Sequence, residues 1–345
     1  MKNISGFFLF ICVGLVTLSM GCQKLVGELV DSEPEDAKTI TITMVAKSST
    51  NPVFQSALSG AEAAAKDLSE KYSKIDVRID WRTPKEEDPT AQVERILNAV
   101  EEGTDAILVS CSDAEVLTPV INSTVDSGIP VMTFDSDAPN SKRFAFYGPN
   151  DVEIGENVMM ELASQLDEKG QVAVLAGNQS APNLQKRVEG LHNAAANYPD
   201  IEIVGVFHHV ETPDSAIAEV IRVMRDYPQL RGWAMVGGWP LFSEALSDKI
   251  DPEQTIIVAV DALPVQLPYV ERGIAPVLLA QPTFRWGKIS VEKIIDKIHL
   301  EKDVPEITQM KLIRVSKENL GGWARQLRAW DYEGIPTKYL TYVAD

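Results

Sequence analysis

Short apolar, β-branched runs alternate with amphipathic helical patterns along this chain, and the alternation breaks off near residue 147 and then restarts. Residues 40–46 read as a strand and are followed by polar Ser48-Ser49-Thr50-Asn51-Pro52, a turn with proline at a helix start. Phe54, Ala57, Leu58, Ala61, Ala65 and Leu68 then recur at helical spacing. Further strands are predicted at 75–81, 106–109 and 129–134, with helices between them. The second series predicts a helix over 152–166 and strands at 171–176, 201–207, 233–236, 256–260 and 277–280. Helices separate these strands too, including one carrying Leu241-Phe242 and Ala245-Leu246. Parallel strands need crossover helices, so a pattern repeated in this way predicts two parallel-sheet α/β units. A chain of 345 residues has room for two cores.

The formal charge of −18 excludes a phosphate-backbone partner, whose binding rests on clustered Lys and Arg. At the N-terminus, Lys2 precedes an apolar run over 7–18 of the kind found in export signals. Ser19-Met20-Gly21-Cys22 resembles a bacterial lipobox, although Ser19 stands where Leu is usual. The expectation is a signal peptide over 1–21, a lipidated Cys22, and an acidic, solvated tether over 22–38. The alternative is an ordinary signal peptide cleaved nearby, or an uncleaved anchor. Of the three cysteines, only Cys111 then remains in the folded part, so no disulfide framework is expected.

No glycine-rich dinucleotide loop, phosphate loop or nucleophile elbow is present, and the four histidines lack zinc-ligand spacing. His208-His209 is read as a surface or strand-end pair, since adjacent strand residues face opposite ways. No enzyme, cofactor or metal is expected. What recurs instead is a polar residue at the carboxyl ends of strands, where open parallel sheets bind ligands. Asn51 follows the first strand, Asp135-Ser136-Asp137 the apolar 129–134 run, Asp261 the 256–260 strand and Gln281 the 277–280 strand. Arg187 and Asn183 lie on the helix after Ala176-Gly177-Asn178. Together these side chains supply the donors and acceptors that polyol hydroxyls require. Asp135 reads either as a ligand carboxylate or as a turn cap. Phe54 reads either as a ring facing a sugar or as core. Trp239 follows two glycines that would let backbone approach a ligand, and Trp81 ends a strand near the same edge.

Six segments carry a resemblance. They are Asn51-Pro52-x-Phe54, Gly103-Thr104-Asp105-Ala106-Ile107, Gly128-Ile129-Pro130-Val131, Phe134-Asp135-Ser136-Asp137-Ala138-Pro139, Arg187-Val188-Glu189-Gly190 and Leu279-Ala280-Gln281-Pro282. In this order the chain resembles the type I periplasmic sugar-binding proteins, the ribose-binding group. That resemblance implies two doubly wound lobes joined by three crossings, closing over one sugar that is delivered to an ABC permease. It implies ligand roles for Asn51, Phe54, Asp135, Arg187, Asp261 and Gln281. It places crossings near 142–145, Gln281 and Gln309, hence lobes of 39–143 plus 282–309 and of 144–281 plus 310–345. Ser136 stands where ribose binders commonly have a second arginine, and Gly237-Gly238-Trp239 where Asn-Asp is usual. The reading is a monomeric, lipid-anchored binding protein for a neutral sugar or polyol. The alternative is a ligand-sensing receptor of the same fold serving a membrane signalling partner.

Overall fold

The computed structural model describes residues 37–343. The leader, Cys22 and the tether through residue 36 lie outside the described residues. The first series of elements comprises β1 (Lys38–Val45), α1 (Pro52–Lys71), β2 (Ile75–Trp81), α2 (Pro89–Glu101), β3 (Ala106–Val109), α3 (Ala114–Asp126), β4 (Val131–Phe134) and β5 (Ala145–Gly148). The second comprises α4 (Asp151–Gln165), β6 (Lys169–Ala176), α5 (Pro182–Ala195), β7 (Asp200–His208), α6 (Pro213–Asp226), β8 (Leu230–Met235), β9 (Ile256–Val260), α7 (Leu267–Glu271) and β10 (Val277–Ala280). After it come α8 (Phe284–Ile298), β11 (Ile307–Gln309), β12 (Ile313–Val315), α9 (Leu320–Ala329) and α10 (Thr337–Leu340).

The strands form two six-stranded sheets, ordered β11-β5-β4-β3-β1-β2 and β12-β10-β9-β8-β6-β7. All pairings are parallel except β10 with β12. The central strands β3, β4, β9 and β10 are almost wholly apolar because helices cover both faces, as parallel sheets require. Helix starts follow local chemistry. Asn51, Asp88 and Asp113 each accept a backbone N–H of the first turn of α1, α2 and α3, and Pro52 and Pro89 occupy first positions where a missing N–H costs nothing.

Two expectations need correction. The apolar run at 144–147, which the 143/144 boundary assigns to the second lobe, is the fifth strand of the first sheet, since β5 pairs with both β4 and β11. The chain therefore leaves the first lobe after Gly148, later than the 143/144 boundary. The other crossings fall at 281–283 and 310–312, between strands or helices of different lobes. The helix expected around Leu241–Leu246 is also absent, replaced by two 3-10 turns, Trp239–Phe242 and Glu244–Leu246. Pro240 removes an N–H, and extended Ser243 (φ −137°) interrupts the segment and caps the second turn.

Paired glycines fix how the helices nearest the hinge cross. A Cβ on Gly60 would meet the Phe284 carbonyl oxygen at 1.8 Å, and one on Gly287 that of Ala57 at 1.8 Å, so α1 and α8 touch backbone to backbone. In the second lobe, a Cβ on Gly155 would meet the Arg187 oxygen at 1.8 Å and one on Gly190 that of Val152 at 1.9 Å. This crossing of α4 and α5 sets where Arg187 can reach.

The tail beyond β12 packs α9 and α10 on the second lobe's core through Leu320, Trp323, Leu327 and Tyr339. Trp323 Nε1 donates to the Ala262 carbonyl at 2.7 Å. The tail also reaches the first lobe, where Trp330 stacks on Phe284 with ring centroids 5.9 Å apart and planes 5° from parallel. The Tyr332 hydroxyl lies 2.7 Å from Thr283 Oγ1, which donates to Ser56 Oγ at 3.0 Å.

Candidate binding site

The carboxyl ends of both sheets face one cleft. Its outer chamber has a volume of about 480 Å³ and is lined from the first lobe by Lys47, Asn51, Phe54 and Glu87, and from the second by Asn178, His208, His209 and Glu211. It narrows to an inner space of about 30 Å³ walled by Asp135, Asn183, Arg187, Trp239, Asp261, Gln281 and Trp286. Lys47, Asn51, Phe54 and Glu211 line both. Asn178 Nδ2 donates to Glu87 Oε1 at 3.4 Å across the cleft, so the lobes are apposed.

Asp135 and Asp261 follow β4 and β9 directly, and both take left-handed backbone conformations, with φ of 57° and 71°. Asp tolerates that region better than most residues, and the turn stops the strand and swings the carboxyl group to the cleft. Asp135 Oδ2 accepts from Ser110 at 2.8 Å. Asp261 Oδ1 accepts from Gln281 Nε2 at 2.9 Å. Arg187 is buried and donates to Asp151 Oδ1 at 2.8 Å, to the Val236 carbonyl at 2.9 Å and to Gln281 Oε1 at 3.1 Å. A chain of polar contacts thus runs from Asp151 through Arg187 and Gln281 to Asp261.

Burial raises the Asp135 and Asp261 carboxyls above their ordinary range, with Lys47 and Arg187 opposing the shift at Asp135 and Gln281 and Arg187 at Asp261. Asp151 is pushed up to about 6 by burial, despite its ion pair with Arg187. Burial works against the Arg187 and Lys47 charges, but their acidic neighbours outweigh it, Asp151 first for Arg187 and Glu87 first for Lys47. Both stay cationic.

Of the residues singled out from sequence, Asn51, Phe54, Asp135, Asn183, Arg187, Trp239, Asp261 and Gln281 meet at the inner space. Asn51 has a double role, because its Oδ1 caps Val53 N at 3.1 Å. Phe54 is both core and wall, packed against Phe134 and Trp286. Asp137 does not reach the cleft. Its oxygens are taken by Arg143 at 2.5 and 2.7 Å, Thr133 at 2.6 Å and the Ala138 N–H at 2.8 Å, so it pins the loop after β4. Ser136 is buried beside it and is likewise off the cavity wall. Trp81 packs at the first lobe's core and lines neither chamber.

Of the two glycines before Trp239, Gly237 makes room for the indole and lines the inner space, while a Cβ on Gly238 would meet Phe242 at 2.7 Å and Gln266 Nε2 at 2.8 Å. A Cβ on Gly237 would meet the indole at 2.4 Å, and one on Gly177 at 2.9 Å. The histidine pair, read as surface or strand-end, stands at the end of β7 with His208 exposed, and both rings also line the outer chamber. β7 ends at His208, so strand alternation no longer governs His209, whose ring packs edge-on to Trp239 at 5.0 Å. Sequence reasoning missed Lys47, Glu87, Asn178, Glu211 and Trp286 as lining residues. The strand-end rule that selected Asp135 would have selected Lys47, two residues beyond β1.

A family model described as the periplasmic binding protein domain matches residues 42–301. A ribose import binding protein of Bacillus subtilis is 27% identical over 164 residues, which are 48% of this chain and 51% of the relative. A xylitol-binding protein of Mycolicibacterium smegmatis is 26% identical over 140 residues, 40% of each chain. The chain spans about half the length, or less, of these curated relatives. Among solved structures, an ABC transporter solute-binding protein from Burkholderia graminis, in complex with D-arabinose, superposes with a TM-score of 0.76 at 24% identity, covering 83% of this chain and 98% of the other. At that identity the likeness is one of fold. These relatives are binding proteins and not enzymes. With the family model extending over most of the chain, and two parallel-sheet lobes closing on a strand-end cleft, the chain belongs to the type I periplasmic binding proteins.

Proposed function

We propose that this chain captures a sugar or polyol between its lobes and delivers it to an ABC permease in the cell envelope, tethered there by a lipid on Cys22. The observation that carries the reading is the convergence of Asp135, Asn183, Arg187, Asp261 and Gln281 on one interlobe space beside the rings of Phe54, Trp239 and Trp286. Each hydroxyl of a sugar both donates and accepts, and carboxylate, amide and guanidinium groups together meet both needs. The aromatic rings suit the C–H faces of the same molecule. An acidic sugar fits poorly, because Arg187 already serves Asp151 and Lys47 already pairs with Glu87 at 3.3 Å.

The test is a thermal-shift screen against pentoses, hexoses, polyols and furanosyl compounds. A ligand bound only by the folded state at 100 times its Kd adds about 2.7 kcal/mol of stability. Absence of any stabilised sample would sink the reading. The anchor has its own test, since Cys22→Ser abolishes incorporation of labelled fatty acid if the thiol is the acylation site, and unchanged labelling removes that part of the proposal.

A further inference from the structure

A polyhydroxyl ligand can be neutral, acidic or basic, and the wall of the cleft discriminates among the three. Two carboxylates and one guanidinium, legible in the sequence, point to a neutral one. The folded chain adds Lys47, Glu87 and Glu211 to the wall, which shifts the balance. Both cations are already engaged in ion pairs, Arg187 with Asp151 and Lys47 with Glu87. Asp135, Asp261 and Glu211 have no ion-pair partner among the described residues. Their hydrogen-bond donors are neutral: the Ser110 hydroxyl, the Gln281 amide and the Asn178 backbone N–H.

A second observation is independent of these charges. Two acceptor atoms on the wall have no donor among the described residues. Asn183 Oδ1 belongs to a side chain only 5% exposed and lines the inner space. His209 lies on the outer chamber with Nδ1 2.7 Å from the Val210 carbonyl, so Nδ1 carries the proton and the buried Nε2 is left as an unpaired acceptor. Burial keeps this imidazole from charging. Buried acceptors without donors are costly unless a ligand supplies the donors. A protonated amine is the group that brings several donors and no acceptor. Trp239 and Phe54 present rings to the same space, and aromatic faces attract cations.

We propose that the preferred ligand is an amino-substituted sugar or polyol, bound as a cation against Asp135, Asp261 and Glu211. This rests on the polyol reading above and narrows it to one charge class. Burial pushes these carboxyls toward their protonated forms. A bound ammonium group favours their ionised forms, so binding of the amine releases protons to solvent, whereas binding of a neutral sugar does not.

Calorimetry with matched pairs tests this, each pair being a hexose or cyclitol and its amino-deoxy counterpart. Titrations near pH 6.5 are run in buffers of different ionisation heat. The best pair is expected to favour the amine at least about tenfold, the margin by which charge-assisted hydrogen bonds exceed neutral ones. Buffer-dependent heats should show proton release for the amine alone. Glu211→Gln keeps an acceptor for the Asn178 N–H but loses the charge, and should shrink the amine preference several-fold. Neutral parents binding as tightly as their amines, without proton release, would overturn this inference and leave the polyol reading standing. Binding by neither class removes both.

Discussion

Asp135 and Asp261 occupy the same place in two sheets. Each sits one residue past a central strand, takes a left-handed conformation, and donates its N–H to the neighbouring strand, Asp135 to Tyr147 at 3.1 Å and Asp261 to Leu279 at 2.9 Å. Their surroundings differ. Asp261 is the end of a buried relay through Gln281 and Arg187 to Asp151, all assembled in the second lobe and its hinge. Asp135 has a single hydroxyl donor from its own lobe, Ser110. One lobe carries a prebuilt polar network whose members depend on each other, while the other offers a nearly free carboxylate. Damage to the first should therefore appear as lost stability, and damage to the second as lost affinity.

The largest effect is expected at Arg187. Arg187→Leu strands Asp151 as a buried, unpaired carboxyl and orphans the Val236 carbonyl and Gln281. Breaking a buried pair from one side costs about 3–5 kcal/mol, so urea denaturation of the ligand-free variant should show a loss of that size. A ligand-free variant as stable as the parent would break the comparison between the lobes.

Next comes Asp135. Replacing it with Ala removes the acceptor for ligand hydroxyls or ammonium and should weaken binding by about 2–4 kcal/mol, roughly 30- to 1000-fold. Because φ at this position is 57°, alanine also brings about 1 kcal/mol of backbone strain, which Asp135→Asn avoids. Asn should therefore keep ligand-free stability and lose affinity, though less than Ala. The turn-cap reading of Asp135 predicts the opposite, and calorimetry beside denaturation of both variants separates the two.

The smallest expected effect is in pH. Asp151 titrates near 6 in the folded chain against an ordinary value of 3.8. Between those values the folded chain holds a proton that the unfolded chain has released, so this group's stabilisation is complete below about 4 and is lost as pH rises through 6. Ligand-free protein should melt higher at pH 5 than at pH 7, by on the order of 1–3 kcal/mol, with Asp135, Asp261 and Glu211 shifted in the same direction. In Asp151→Asn the rise should shrink. A melting temperature that falls steadily from pH 7 to 5 would show that the buried network does not control this window.

The lobes, their strands and most of the inner wall were legible because parallel sheets leave a regular trace. Apolar runs stop abruptly, and the polar residue at the stop faces the ligand side. That rule located Asp135, Asp261 and Gln281. It failed at Asp137 because the left-handed turn at Asp135 sends the chain back toward Arg143, an interaction that depends on a loop closing in space. Glu87 and Glu211 were hidden for another reason. Both lie in polar loops whose composition suits solvent, and only the apposition of the lobes brings them face to face across Lys47.

The tail gives the hinge an optical property. Trp330 is carried by a helix pinned to the second lobe, yet its ring lies flat on Phe284 at the start of a first-lobe helix. Rotation of one lobe against the other must slide or part these rings and change the water around the indole. Emission from this one side chain is thus coupled to the angle between the lobes. The chain carries a fluorescent gauge of the angle between its lobes, set apart from the residues that wall the cleft.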